Sequence, residues 1–161
     1  MAAIQSSATE SVLPFTLDGH PILRDNETIL TDGSRTVPLA QYTLMAQIAS
    51  TKKWVPWLNA NLGDTTGMQA PIGILMNDGG FTAAQYAAAD ITGAMIAIAG
   101  EEWSVDGSQI VFDKGTTGVG TPNTLDSIPT VPTNQAKRAE VILWERGIYP
   151  TSQVTMDKTE N

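Results

Sequence analysis

The chain contains a single histidine, His20, so any Ser-His-Asp triad or histidine-based metal site has to use it. It stands in Gly19-His20-Pro21, within a loosely patterned N-terminal stretch. A general base needs a rigid, oriented position, and this turn-like tripeptide does not promise one. Glu101, Glu102 and Asp106 offer carboxylates for acid–base work or for an oxygen-ligand cation site. Neighbours on a strand face opposite sides, so Glu101 and Glu102 do not share one task. The acidic spacing does not match an EF-hand loop either. Residues 115–120 (GTTGVG) have the glycine content of a phosphate loop. Such loops pass straight from a strand into a helix, and a Walker A loop adds a lysine followed by Ser or Thr; here a threonine- and proline-rich stretch follows. With no cysteine in the chain, thiol nucleophiles, thiolate metal sites and disulfides are excluded. The residue types therefore assemble no catalytic, cofactor-binding or metal-ligating set.

The four tryptophans carry more information. Trp54 and Trp57 are three apart on an expected strand and so project to opposite faces, one into a core and the other outward. Trp103 and Trp144 complete the set. Either all four are core residues, or one or two anchor a subunit interface, where aromatics are enriched. Trp54, Trp57 and Trp103 are the interface candidates. Exposed, the same three would also suit sugar stacking beside the polar loops 59–69 and 113–132.

Composition sets the frame for these side chains. A chain of 161 residues fits one domain and can bury a core without covalent staples. Seventeen acidic against nine basic residues give a formal charge of −8, and the cations do not cluster beyond Lys52-Lys53 and Lys137-Arg138. Nucleic-acid binding is not expected. No apolar run reaches the length of a membrane span, and the N-terminus lacks a signal-peptide pattern. The expectation is a soluble protein made in the cytoplasm, with no nucleic-acid or membrane partner.

The elements are mostly short. Residues 1–27 scatter isolated apolar side chains among polar ones, interrupted by Gly19 and Pro21, and read as a flexible arm: either a frayed terminus or an extended segment (VLPFTL) that adds to a partner's sheet edge. Residues 28–150 form the domain. Short strands are expected over 28–31 and, with edge character from Pro38, over 36–40. Residues 42–48 and 54–58 read as a hairpin, with Pro56 marking an edge or bulge, and 70–76 as a strand buried on both faces. Thr82 caps a short alanine-rich helix over 81–90. Small-residue strand 91–100 follows, its glycine and alanines allowing close approach of another backbone. Asp106-Gly107 signals a hairpin completed by 109–112. Residues 113–132 form a long linker loop. A helix from Thr133 or Asn134 to about Arg146 ends at Gly147 in a left-handed cap, stopped by Pro150; residues 148–150 fold back on its apolar face. Residues 151–161 read as a tail. The fold class is α+β, β-rich: a small mixed β domain with one C-terminal helix and one short Ala-rich helix.

The order of motifs resembles the lambda-type head decoration proteins of tailed bacteriophages. The likeness runs through LAQYTLMAQIASTKKWVPWL, GDTTGMQAPIGILMND, ITGAMIAIAGEEW and QAKRAEVILWERGIYP, covering roughly residues 28–150. The glycine-rich linker 113–132 and the alanine-rich insert 81–90 are longer than the family's minimal form. The resemblance implies a β-tulip type fold and a non-enzymatic homotrimer on the virion exterior. It would sit at local three-fold positions of the expanded head and stabilise it against DNA pressure. It also implies an N-terminal arm that pairs with the major capsid protein, carried here by Ser11, Val12, Leu13, Pro14, Phe15, Thr16, Leu17, His20 and Pro21. No cofactor is implied. The competing reading is a carbohydrate- or receptor-binding module on a virion surface.

Overall fold

A computed structural model describes residues 16–57, 72–113, 124 and 142–151. Among these residues six strands and one short helix are formed in chain order: β1 Thr16–Ile29, β2 Leu44–Gln47, β3 Trp54–Pro56, β4 Gly73–Leu75, α1 Ala83–Ala88, β5 Ile91–Asp106 and β6 Ile148–Thr151. A further single helical turn covers 142–145. The molecule is thus β-rich with a mixed sheet and two short helical pieces, in line with the α+β expectation.

The sheet order is β1-β3-β2-β4-β5-β6, and β1 also pairs with β5. The ladder β1-β3-β2-β4-β5 therefore closes on itself. β5 is the spine of this closure. One of its edges carries β1 antiparallel from Ile91 to Val105; the other carries β4 at Ile96 and Ala97 and then β6, parallel, from Trp103 to Asp106.

Alternation across the pleat explains why the middle strands are apolar in consecutive positions. Leu44, Ala46, Ile74 and Ala97 enter one core with Trp57, Trp103, Ile110, Leu143 and Ile148. Met45, Leu75, Ala94 and Ile96 enter the other, with Trp54, Ile29, Leu39, Tyr86 and Ile91. Successive side chains of a strand point to opposite faces, so a sheet covered on both faces needs an apolar residue at every position. β4 is buried throughout, as its Gly-Ile-Leu sequence predicts.

Helix α1 forms where expected because its entry is capped at both donors. Thr82 Oγ1 accepts from Gln85 N at 3.2 Å, and Gln85 Oε1 accepts from Thr82 N at 2.9 Å, a reciprocal capping box. The helix then lays Tyr86 into the second core. Gly147 adopts the expected left-handed conformation, φ 78°, and accordingly ends the 142–145 turn; the rest of that expected helix lies outside the described residues.

Several expectations are corrected. No boundary falls between residues 27 and 28: Thr16–Ile29 is one 14-residue strand, so residues 16–27 belong to the sheet and the expected 28–31 strand is only its end. Residues 36–40 form no strand; Leu39 makes a single bridge to Phe81. The small-residue strand does not stop at Gly100 but runs on to Asp106. The Asp106-Gly107 turn is present, with Gln109 N donating to Asp106 O at 3.1 Å, yet no hairpin follows it. Val111 crosses instead to Tyr42 and Leu44, bridging Thr43 in parallel. Residues 148–150 extend as β6 along Trp103–Asp106, beyond β4 on that edge of β5, and Ile148 shares a core with Leu143 of the preceding helical turn.

Candidate interaction surface

Of the candidate carboxylates Glu101 and Glu102 are exposed on β5, whereas Asp106, like Asp90 and Asp113, is engaged in internal contacts. Asp106, nearly buried, takes Ser108 N at 3.0 Å, Ser108 Oγ at 2.6 Å and Gln109 Nε2 at 3.1 Å. Burial works to raise its pKa, but those hydrogen bonds outweigh it and hold the carboxyl below its ordinary value. It is a turn-former. Asp90 caps Thr31 N at 2.9 Å and pairs with Lys53; the hydrogen bond from Lys53 is the main reason its pKa is lowered. Asp113 forms a two-pronged pair with Arg35, whose other donors reach Val37 O and Pro38 O and whose guanidinium lies 5.1 Å over the Tyr86 ring. Burial disfavours the charged Arg35, but Asp113 outweighs it and the net shift is upward. Burial likewise pushes the Tyr86 hydroxyl well up. These groups lock the connection 31–39 to α1 and to residue 113. Among the described residues no group of three or more His, Asp or Glu side chains is placed to hold a metal ion. The glycine run 115–120 lies outside the described residues.

The three tryptophans expected at a subunit interface are interior side chains: Trp54 is 0 %, Trp57 1 % and Trp103 0 % exposed. Trp54 and Trp57 do enter opposite cores, but since both faces of the sheet are covered neither reaches solvent. Trp54 Nε1 donates to Glu27 Oε2 at 2.7 Å, and Trp103 Nε1 to Thr16 Oγ1 at 3.0 Å, so both are pinned by β1. None presents a ring to a neighbouring subunit or to a sugar. The exposed indole is Trp144, at 57 %, tilted against Tyr149. Helical spacing could have found it: Trp144 lies seven residues after Lys137, on the polar side of the expected helix.

What remains outward-facing is β1. Of the residues expected to form a capsid-binding arm, Ser11, Val12, Leu13, Pro14 and Phe15 lie outside the described residues. Thr16, Leu17, His20 and Pro21 are in β1; Thr16, Leu17 and Pro21 are half-buried and His20 is exposed. β1 is bonded to β5 along its length but to β3 only at Ile29. From Thr16 to Thr28 its outer edge has no ladder partner among the described residues. Ile22 and Leu23 on this strand are 51 % and 44 % exposed, the largest exposed aliphatic side chains described.

The strand is held in an irregular register. It slips against β5 between Thr16 and Asp18, Gly19 and Pro21, Arg24 and Glu27, and Glu27 and Ile29. At the second slip His20 stands opposite three residues, Gly100, Glu101 and Glu102. Gly19 makes this possible: its φ is 82°, and a Cβ there would run into the Glu102 carbonyl. Arg24 braces the far end, bonded to Glu27 at 2.8 Å and lying 5.9 Å over the Trp54 ring. The result is a strand anchored at Thr16 and at residues 24–29, with an aliphatic pair exposed between the anchors. Comparison of the chain with protein-family models, with curated proteins and with solved structures finds no match.

Proposed function

We propose that the chain is a capsid decoration protein of the lambda head type, with a β-tulip type fold. On this reading it binds the expanded phage head as a homotrimer at local three-fold positions. It resists the pressure of packaged DNA without catalysing a reaction or using a cofactor. Its partners are the major capsid protein and its own copies; its place is the virion exterior, after synthesis in the host cytoplasm. Many copies spanning capsomer boundaries raise avidity without any single tight contact, and an acidic exterior keeps the particle soluble and away from nucleic acid.

The observation that supports this reading best is the outer edge of β1, which from Thr16 to Thr28 has no ladder partner among the described residues. An extended edge with exposed aliphatic side chains is a liability in a free protein and is normally blunted or covered. In an assembly protein it is a contact surface. Thr16, Leu17, His20 and Pro21, assigned above to the capsid-pairing arm, lie on this same strand.

The test is to add the purified protein to expanded heads of the phage that encodes it and to image the particles. Protrusions at three-fold positions, together with a trimer by sedimentation, are the expected result. Removing residues 1–15, which leaves β1 whole, should weaken attachment while the body stays folded. Heads that bind no protein at saturating concentration would end the proposal.

A further inference from the structure

We infer that the outer edge of β1 takes up an extended segment of another protein as an added strand, and that this segment is aliphatic and basic. The inference deepens the interface reading above by naming the partner's chemistry, but it stands on β1 itself and not on the partner being a capsid protein.

Three observations fix the mode and the partner. First, Ile22 and Leu23 are adjacent on a strand and so project to opposite faces. A partner lying on one face of the ribbon would cover one of them; only a strand running alongside, about 4.8 Å away, reaches both. Second, the outer backbone groups from Thr16 to Thr28 have no ladder partner among the described residues, so main-chain bonds are available to such a strand. Third, the ribbon is acidic. Asp18, Asp25, Glu101 and Glu102 are exposed along it, and Arg24 is already paired with Glu27. An added strand lies directly beside Asp18 and Asp25 and within about 10 Å of the β5 glutamates, inside the screening length at 0.1 M salt. Lys or Arg side chains flanking the aliphatic positions meet these charges.

The same charge pattern argues against a second copy as occupant. Pairing β1 with β1 would set acidic edges against each other in a chain of formal charge −8. Pro21 also has no N–H to offer, so one rung of any ladder is missing. The side chains therefore decide which partner is accepted.

The experiment titrates isotopically labelled protein with three synthetic twelve-residue peptides. One alternates Lys with Val and Ile, one replaces each Lys by Glu, and one is the basic peptide with all of its backbone amides N-methylated, so that neither edge can donate to a ladder. The expected result is amide shifts concentrated in residues 16–28 with the basic peptide only. Each exposed ion pair is worth a factor of about 1.5–5 in affinity, so losing two of them should weaken binding about 2–25-fold in the D18K/D25K double variant; I22D should weaken it as well. These sites are exposed, so the variants remain folded, which circular dichroism checks. Equal binding of the N-methylated peptide, shifts centred elsewhere, or no binding by any peptide would each overturn the inference. So would an oligomer that falls apart on I22D substitution, since the edge would then be a contact between copies. Head binding separates this from the proposed function. If wild type decorates heads yet binds none of the peptides, the edge assignment fails and decoration stands. If wild type ignores heads yet captures the basic peptide, decoration fails and the edge assignment stands.

Discussion

Replacing Asp113 by alanine isolates the cost of stranding a buried cation. The Arg35 and Asp113 side chains are 2 % and 5 % exposed and meet at 2.5 and 2.8 Å through two parallel hydrogen bonds. Without the carboxylate, the guanidinium keeps the carbonyls of Val37 and Pro38 and the face of Tyr86, but loses its counter-charge. Removing one partner of a buried pair typically costs about 3–5 kcal/mol. The remaining Tyr86 contact, worth about 0.5–2 kcal/mol, places the expectation for D113A at the lower end, near 3 kcal/mol. With a urea slope of about 2 kcal/mol/M the midpoint should fall by about 1.5 M. Tryptophan fluorescence reads this directly, because Trp54, Trp57 and Trp103 are all interior. The double variant R35M/D113L removes both charges and keeps an apolar filling, so it should regain most of the loss; apolar replacements of buried pairs are often neutral or better. A D113A midpoint within about 0.3 M of wild type, or a double variant as unstable as D113A, would refute the claim that pairing keeps Arg35 tolerable in the interior.

Three further outcomes are expected. G19A should cost more than G79A: both glycines have φ near 70–80°, but a Cβ at Gly19 meets the Glu102 carbonyl while at Gly79 it meets nothing within 4 Å. Gly79→Ala carries only the left-handed penalty of about 1–2 kcal/mol, whereas G19A should also speed exchange of the amides around Thr16–Gly19; equal midpoints for the two variants would contradict the close approach. Iodide should quench one tryptophan among four, and W144F should abolish that component with a stability change within about 0.5 kcal/mol; quenching that survives W144F would place another indole outside. Asp90 has a folded pKa below its ordinary 3.8, first through Lys53 and then through Thr31 N. A carboxyl lowered on folding contributes stability above its unfolded pKa and loses it as pH falls through the folded value. The urea midpoint of D90N should therefore lie below wild type at pH 6, and the gap should close as pH drops below 3.8; a gap unchanged down to pH 2 would rule out this linkage.

The parts of the fold legible in the sequence are those whose pattern is set locally. The turn between residues 48 and 53, the doubly apolar β4 and the Thr82–Gln85 cap each follow from a few consecutive residues. Exposure of the tryptophans was not legible, because it depends on what covers each face. The period of two places Trp54 and Trp57 on opposite sides, but closure of the ladder by β1 and β5, with α1 and residues 142–150 against it, buries both sides. The Arg35–Asp113 pair spans 78 positions and has no local signature. Within the candidate surface, Ile22 and Leu23 stood out as apolar residues in a polar stretch, but nothing local showed that stretch to be a strand.

The reason it did not look like a strand bears on what it does. Gly19, Pro21 and Asn26, the last at φ 59°, break the alternation that marks a half-buried strand, and β1 slips register against β5 four times. A regular apolar strand here would have been easy to read and dangerous to carry, since a long flat edge pairs with any other edge it meets. Bulges, a proline and flanking acids are devices that blunt such an edge against copies of itself. They do not remove Ile22 and Leu23, which a purely defensive edge would replace with lysine or another charged residue. An edge that repels its own kind yet keeps two aliphatic side chains exposed is selective rather than closed. The irregularity that hides β1 in the sequence is therefore the physical basis for assigning it a foreign partner.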